Sequence, residues 1–398
     1  MSTQDLFLSP DERYDVWVVK AAERPHLLEV HSDETKNDAD PPLTDGCDIP
    51  GWRHEQLGMN NNSQHLEGIL ESIGPGSTLL RRESMFPVFS NKTPWDDLRR
   101  QLLQEPVQTP QRFAYNQLQG ALHPDFEREN WPAIIDGCTE CWPAMETCRF
   151  QNLLHKYGHL EWRFSDTHGE TMRLDTYQKY ITGLEGQSDD APLAIYDSQF
   201  HHDERAALLD EYQVPSCFDT DLFDYLSDDD SDESSQRPPY RWILIGPSRS
   251  GTGLHVDPVG THAWVTLVEG CKRWILFAPE TDRNKIHMRD PQIPSSIWFH
   301  KYYPEVLKQV EQEGRITYVE VLQRPGETVY VPAGWPHLVL NLDLSVAITQ
   351  NYATEYPSTA ALWSEINKAE PALARRFQAA IQKTRPDLLH DNTLTAQL

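Results

Sequence analysis

Four histidines of the 398-residue chain are followed two residues later by an aspartate, a spacing that can give two ligands to one metal ion. The pairs are His31/Asp33, His123/Asp125, His201/Asp203 and His255/Asp257. With 16 histidines and 61 acidic residues, several such pairs are expected by chance. The spacing therefore does not indicate a metal site, and the position of each pair in the chain has to distinguish them.

Only the fourth pair, His255/Asp257, falls within a series of predicted strands. The first pair lies in an acidic, loop-like segment, the second has a proline between its members, and the third lies at a predicted strand-to-helix turn. In a strand, residues i and i+2 point to the same face. We therefore expect His255 and Asp257 to project together into the interior of a barrel.

A third ligand should come from a later strand, and the best candidate is His337 in VYVPAGWPHLVLNL. A lone histidine at such a place is more often a hydrogen-bonded core residue than a ligand. Together with the His255/Asp257 pair it gives two histidines and one carboxylate, the ligand set of non-haem Fe(II) oxygenases. We therefore predict an iron site at these three residues.

An oxygenase of this kind needs two electrons, which 2-oxoglutarate supplies by chelating the metal and losing CO₂. The distal carboxylate of that cosubstrate needs a cation, and Lys272 is the candidate. It begins the predicted strand KRWILF, just after a predicted hairpin that follows the metal pair. A lysine buried there needs an anionic partner. The alternative is a lysine that extends to the surface beside Arg273.

Short strands follow one another from residue 240 onward, a pattern typical of an all-β sandwich or barrel. They are predicted at 240–246, at 263–279 as two strands joined at Glu269-Gly270, and at 316–322, 328–332, 337–342 and 345–352. Earlier strands are predicted at 130–137 and 193–200. Helices are predicted at 64–73, 94–104, 149–158, 174–186, 204–215 and, with one proline interruption, 357–383.

These elements predict four regions. Residues 1–120 are an extension of unknown role, partly disordered, and residues 121–192 are a lead-in of helices and strands. Residues 193–353 are the catalytic domain, with an acidic loop, SDDDSDESSQ, at 227–236. Residues 354–398 are a helical C-terminal segment. The fold class is mainly β with flanking helices (α+β).

The composition restricts the partners and the compartment. The formal charge is −26, which argues against duplex DNA binding and suits a basic partner, although it also fits a solvated acidic surface. The N-terminus does not resemble a secretory signal and no apolar run is long enough to span a membrane, so we expect a protein that is not secreted. Six cysteines without a dense framework favour a reducing compartment. A zinc or redox role for Cys138, Cys141 and Cys148 is the weaker alternative to free thiols.

Two long segments, GPSRSGTGLHVDPVGTHAWVTLVEGCKRWILFAP and GETVYVPAGWPHLVLNLDLSVAITQNYA, resemble the JmjC-domain oxygenases. The resemblance runs from about residue 126 to residue 353 and includes FERENWPAIIDG, IYDSQF and RPPYRW. It is greatest to the arm containing the bifunctional arginine demethylase and lysyl hydroxylase once called the phosphatidylserine receptor. It implies a double-stranded β-helix (a jelly roll, cupin-like), with His255, Asp257 and His337 on iron and Lys272 on 2-oxoglutarate.

The resemblance also implies roles for other polar residues. Thr252 and Thr349 match positions that line the cosubstrate pocket, and Asn351 matches a polar residue near the metal. Asp197 and Ser198 match positions close to the mouth of the pocket, where substrate binds.

Two positions depart from that arm, whose members tend to carry asparagine where Val265 stands and tyrosine where Ala194 stands. Both of those residues help to bind 2-oxoglutarate. Tyr196 lies two residues from Ala194 and so points to the same side of the strand. Our hypothesis is that its hydroxyl compensates.

The predicted function is an Fe(II)- and 2-oxoglutarate-dependent oxygenase, using O₂ and supported by ascorbate, that hydroxylates a lysine or removes an N-methyl group from arginine or lysine by hydroxylation. The expected partner is a Lys/Arg-rich protein or peptide, such as a histone or an RNA-processing protein. The resemblance implies a nuclear location, with the cytoplasm as the alternative. The main alternative function is a non-catalytic scaffold that keeps the metal, and the third is a cupin-type enzyme without a cosubstrate.

Overall fold

The computed structural model of the protein describes residues 92–118, 124–164, 171–226, 237–288, 293–314 and 316–389. The predictions for residues 31–46, for a helix at 64–73 and for the acidic loop at 227–236 lie outside the described residues. The described residues contain thirteen strands: β1 Gln111–Ala114, β2 Ala133–Asp136, β3 Glu161–Arg163, β4 Thr171–Arg173, β5 Ile195–Asp197, β6 Arg241–Gly246, β7 Gly251–His255, β8 His262–Glu269, β9 Lys272–Phe277, β10 Tyr318–Gln323, β11 Glu327–Val331, β12 His337–Asn341 and β13 Ser345–Tyr352.

Two sheets build the centre of the molecule. One has seven strands in the order β1-β2-β11-β8-β13-β6-β5, and the other has four in the order β10-β9-β12-β7. Apolar side chains from both sheets meet in one buried cluster that includes Val265, Val329, Trp274 and Val339. This is the predicted jelly roll with its interior between the sheets, and the fold class is confirmed.

The link between β8 and β9 is not the hairpin expected from the sequence. Strand β8 pairs with β11 and β13, whereas β9 pairs with β10 and β12 in the other sheet. The chain crosses between the sheets at Gly270, whose φ of +94° is strained for any other residue. A Cβ there would lie 2.4 Å from the Leu344 carbonyl oxygen, so glycine is required on spatial grounds as well.

Helices cover the outer faces of both sheets. Their bounds are α1 Lys92–Leu102, α2 Tyr115–Leu118, α3 Asp125–Arg128, α4 Ala144–Thr147, α5 Phe150–Tyr157, α6 Leu174–Thr182, α7 Leu184–Ser188, α8 Ser295–Lys301, α9 Tyr303–Glu313, α10 Thr359–Ala369 and α11 Pro371–Thr384. The lead-in helices α5 and α6 pack on the seven-stranded sheet, and α1, α8 and α9 pack on the four-stranded sheet. No helix within the described ranges is both long and apolar enough to cross a membrane.

The last part of the predicted extension, residues 92–118, belongs to this structure. Trp95, Leu98 and Leu102 of α1 are buried in the cluster outside the four-stranded sheet, and β1 adds a parallel edge strand to the other sheet. Two elements differ in kind or length from prediction. The segment predicted as a helix at 204–215 is a 3₁₀ helix at Glu204–Glu211, and the strand predicted at 193–200 is restricted to β5.

Candidate metal centre

The two histidines of the predicted triad lie opposite each other on adjacent antiparallel strands. His255 is the last residue of β7 and His337 is the first of β12, and the two are register partners. Asp257 is not in the strand, since β7 ends two residues earlier. Its backbone remains extended, with φ −58° and ψ 142°, before a 3₁₀ turn at Pro258–Gly260. That extension places its side chain beside the histidines.

The three side chains converge on one point. Asp257 Oδ1 lies 3.6 Å from Nε2 of His255 and 3.9 Å from Nε2 of His337. One ligand atom from each residue lies within 4.8 Å of the others. Within the described ranges, this is the one group of three His, Cys, Asp or Glu residues close enough to share an ion.

The backbone orients both imidazoles. The Nδ1 of His255 lies 2.8 Å from the Gly253 carbonyl oxygen, and the Nδ1 of His337 lies 2.9 Å from that of Trp335. Each Nδ1–H donates to its carbonyl, a contact that directs the lone pair of Nε2 toward the centre. Burial, reinforced by the neighbouring His255, lowers the pKa of His337 to about 4. His337 is therefore neutral at physiological pH, as a metal ligand must be.

Asp257 gives the strongest indication that this centre binds a cation. Burial raises the pKa of its carboxyl, but the neighbouring His337, His255 and Asn351 outweigh burial and hold the pKa below its usual value. The carboxylate is thus ionised although its side chain is only 8% exposed. Its Oδ2 is buried without a hydrogen-bond partner. A divalent cation bound by two imidazoles would satisfy this oxygen, so the residues fit Fe(II).

A bulge in β7 brings Thr252 to the same face as His255. Their register partners on β12, Val339 and His337, are two residues apart, whereas Thr252 and His255 are three apart. The extra residue reverses the alternation of side chains. The Tyr196 hydroxyl lies 3.2 Å from Thr252 Oγ1 and donates to the Gly251 carbonyl oxygen at 3.0 Å. The structure therefore brings Thr252 and Tyr196 together.

Lys272 is buried and points into the interior. Its Nζ donates to Asn341 Oδ1 at 2.7 Å, and in the part of the chain described here it makes no ion pair. Burial lowers the pKa of Lys272 to about 7. The surface alternative is wrong: the exposed fraction of Lys272 is 4%, and Arg273 faces the opposite way, where it pairs with Glu320.

The remaining pocket candidates differ in what they contact. Thr349 is the register partner of Val265, and its hydroxyl donates to the Trp264 carbonyl oxygen at 2.9 Å. Val265 is buried in the apolar cluster between the sheets and offers no polar group. Asn351 lies beside the metal centre, where its side chain lowers the pKa of Asp257 and donates to Thr261 Oγ1 at 2.9 Å.

Asp197 and Ser198, predicted near the mouth of the pocket, are both buried. The Asp197 carboxylate pairs with the buried guanidinium of Arg205 and accepts the backbone N–H groups of Arg163 and Gln199. These contacts hold the 3₁₀ helix against β5. Substrate contact by either residue stays a prediction.

Two site residues had not been singled out from the sequence. Trp274 stacks on His337 with ring centroids 6.2 Å apart, and Asn341 is the partner of Lys272. The alternation of side chains along β9 could have indicated Trp274, because it lies two residues after Lys272. Asn341 is 69 residues from Lys272, and no local pattern connects them.

The cysteines among the described residues do not form a second metal site. Burial raises the pKa of Cys138 to about 11 and that of Cys148 to about 12, so both are protonated thiols. Cys141 is exposed. Within the described ranges the three do not form a cluster with ligand spacing. This arrangement favours free thiols over zinc ligands.

Comparison with known proteins agrees with this geometry. Residues 242–352, from β6 to the end of β13, match the family described as "JmjC domain, hydroxylase". Residues 242–352 of the chain form a JmjC domain. The match contains His255, Asp257, His337 and Lys272 and covers both sheets of the jelly roll except their outer strands β1, β2 and β5.

Curated relatives extend the similarity beyond the JmjC domain. The bifunctional arginine demethylase and lysyl-hydroxylase psr-1 of Caenorhabditis briggsae is 35% identical over 274 residues, which are 67% of this chain and 66% of that protein. The arginine-specific demethylase JMJ22 of Arabidopsis thaliana is 36% identical over 58% of this chain and 43% of its own length. The mouse 2-oxoglutarate and iron-dependent oxygenase JMJD4 is 26% identical over 62% of this chain and 60% of its own length. The chain thus spans just under two thirds of the first of these relatives.

Proposed function

We propose that this JmjC protein is an Fe(II)- and 2-oxoglutarate-dependent oxygenase that hydroxylates a protein side chain. One oxygen atom of O₂ would enter a substrate C–H bond and the other would enter succinate as 2-oxoglutarate loses CO₂. Ascorbate would support turnover by keeping iron reduced. The relatives named as demethylase, lysyl-hydroxylase and 2-oxoglutarate and iron-dependent oxygenase support this reaction class.

The observation that carries the proposal is a buried lysine, in the same interior as the triad, that has no anionic partner among the described residues. Lys272 lies between the sheets with a neutral amide as its partner. An ammonium desolvated in this way is stabilised by a carboxylate from outside the chain. A dicarboxylate fits this chemistry, because one carboxylate could pair with Lys272 and the other could bind a metal. A cupin-type enzyme without a cosubstrate would have no use for this lysine.

Each residue of the centre has a task in such a reaction. The two histidines and Asp257 would hold iron on one face, which leaves positions for cosubstrate and O₂. The carbonyl groups of Gly253 and Trp335 keep the imidazoles oriented. Trp274, stacked on His337, and the apolar cluster behind it exclude water from the closed side of the centre.

The proposed substrate is a Lys/Arg-rich protein segment. The charge of −26 supports a basic partner. Hydroxylation of a lysine carbon would give hydroxylysine, whereas hydroxylation of an N-methyl carbon would release formaldehyde and leave the demethylated amine. Histones and RNA-processing proteins, in the nucleus, are the first classes to test.

The deciding experiment incubates the full-length protein with Fe(II), ascorbate, 2-oxoglutarate and Lys/Arg-rich peptides, plain and methylated. Succinate and peptide mass are measured together. We expect succinate with either a gain of one oxygen or the loss of a methyl group. His255→Ala should abolish both, and His155→Ala, at an exposed histidine, is the matched control. If the protein binds iron but no peptide gives succinate, the result would instead favour a non-catalytic scaffold that keeps the metal.

A further inference from the structure

The deep end of the barrel interior contains a short polar relay that ends at Lys272. Lys272 Nζ donates to Asn341 Oδ1 at 2.7 Å, and Asn341 Nδ2 donates to Ser250 Oγ at 2.8 Å. Ser250 Oγ donates in turn to the Pro247 carbonyl oxygen at 2.5 Å. All three side chains are buried, with exposed fractions of 2–4%. The direction of every donor in the relay is therefore set.

This direction determines which end of the amide faces the lysine. The Ser250 hydroxyl donates its hydrogen bond to a carbonyl oxygen, so it presents a lone pair to Asn341. Only the NH₂ group of the amide can satisfy that lone pair, and this leaves the oxygen for Lys272. If the amide were reversed, its NH₂ group would face the Lys272 ammonium, and two donors would oppose each other. The backbone bonds between Asn341 N and Ser250 O and between Arg249 N and Asn341 O fix the two strands at this point.

The space for the relay comes from two small residues. A Cβ at Gly246 would lie 2.4 Å from Ser250 Oγ and 2.6 Å from Asn341 Nδ2. The same position is 3.2 Å from the Cβ of Ala194. Ala194 and Val265 are the two departures from the related arm, and Val265 packs in apolar surroundings. The Asn341–Ser250 pair thus supplies polar groups, whereas Ala194 and Val265 supply none.

We propose that Asn341 is a positioning residue for the cosubstrate site: it holds the Lys272 ammonium in the interior with a neutral partner, so that the lysine keeps its charge for the distal carboxylate of 2-oxoglutarate. An amide oxygen can orient an ammonium without neutralising it, and two of the three N–H groups of Lys272 remain for an incoming anion. This inference rests on the proposed function, since it names a residue that acts through Lys272.

The test converts the neutral partner into a charged one. In Asn341→Asp a carboxylate would stand 2.7 Å from Lys272 and pair with it internally. We expect the affinity for 2-oxoglutarate to fall about 100-fold, the scale of losing a buried, hydrogen-bonded charge pair. The affinity for 2-oxopentanoate, which has the same length but a methyl group in place of the distal carboxylate, should stay within about twofold. A general folding defect would lower the affinity for both ligands alike.

The measurement is calorimetric titration of each ligand into the full-length, Fe(II)-loaded protein without O₂. Asn284→Asp, the same change at an exposed position, is the control. If Asn341→Asp keeps the wild-type preference for 2-oxoglutarate, the role of Asn341 is overturned while the proposed function stands. If the wild-type protein binds neither ligand, the proposed function fails, and the role of Asn341 fails with it.

A second variant covers the case in which Asn341→Asp does not fold. Ser250→Ala removes the acceptor that orients the amide but adds no charge. We expect Ser250→Ala to lower the affinity for 2-oxoglutarate about 3- to 10-fold, the value of one buried hydrogen bond, and to leave the affinity for 2-oxopentanoate unchanged. An unchanged preference in Ser250→Ala would overturn the proposal by itself.

Discussion

Lys272 places a titratable ammonium in the interior, and this has a consequence for stability that does not depend on catalysis. Burial lowers the pKa of this lysine from 10.5 to about 7. Between these values the unfolded chain binds one proton more than the folded protein. The free energy of unfolding therefore rises with pH across this window.

Replacing Lys272 by methionine should remove this pH dependence. We expect Lys272→Met to raise the free energy of unfolding at pH 7 by at least about 1 kcal/mol, because a buried charge is replaced by an apolar side chain of similar size. 2-Oxoglutarate should no longer raise the Tm of the variant. Denaturant unfolding at several pH values checks the first expectation and thermal shift the second. Lys308→Met, at an exposed lysine, should change neither.

Tyr196 allows a separate test of the cosubstrate pocket. Its hydroxyl touches Thr252 and the Gly251 carbonyl beside the bulge in β7. Tyr196→Phe should raise the apparent KM for 2-oxoglutarate about 2- to 10-fold through the loss of one hydrogen bond, with kcat retained. Tyr318→Phe, on the outer face of the four-stranded sheet, serves as the control. An unchanged KM would show that Tyr196 does not compensate for Ala194.

The residues of the centre were predictable to different degrees. His255, Asp257 and His337 could be grouped in advance because each is near the end or start of a strongly patterned strand. The pairing of Lys272 with Asn341 could not, because it depends on the register between β9 and β12. Likewise, no local pattern indicated that Asp197 forms a buried ion pair with Arg205 of the 3₁₀ helix.

Among the elements, the predictions succeeded where β-branched and aromatic residues are concentrated. The segment SVAITQNY predicts a strand at 345–352, and β13 occupies the same residues. The pairing between strands was harder to predict from the sequence. The sequence of β8, the Glu269-Gly270 turn and β9 is that of a hairpin, yet the turn sends the chain into the opposite sheet. Which sheet a strand joins depends on contacts distant in sequence, and so does the bulge in β7.

Helix α1 provides a prediction at the level of elements, because it precedes the JmjC domain yet packs on its sheet. Leu102 is 1% exposed, and Arg273 donates to the carbonyl oxygens of Leu102 and Gln104 at 3.3 and 2.9 Å. Leu102→Ala should lower the free energy of unfolding by about 2–4 kcal/mol through the cavity it leaves. Leu103→Ala, at a half-buried position, should cost less. A Tm equal to that of the wild type would mean that α1 does not unfold together with the sheets.

Over the whole molecule, acidic residues outnumber basic ones by 61 to 35. Such an excess attracts cationic partners over distances of about 10 Å at 0.1 M salt, and added salt weakens this attraction. The same excess repels a dianion such as 2-oxoglutarate until Lys272 is reached. The net charge therefore has opposite effects on the proposed substrate and on the cosubstrate.

These opposite signs make the salt dependence a test of the proposed substrate class. Raising NaCl from about 50 mM to about 300 mM should increase the KM for a Lys/Arg-rich peptide about 3- to 10-fold, because the attraction is screened. The KM for 2-oxoglutarate should stay level or fall, which rules out a general effect of salt on the enzyme. Steady-state succinate release at fixed pH measures both. If the KM for the peptide does not change with salt, local apolar or hydrogen-bonding contacts, and not the acidic charge of the molecule, select the substrate.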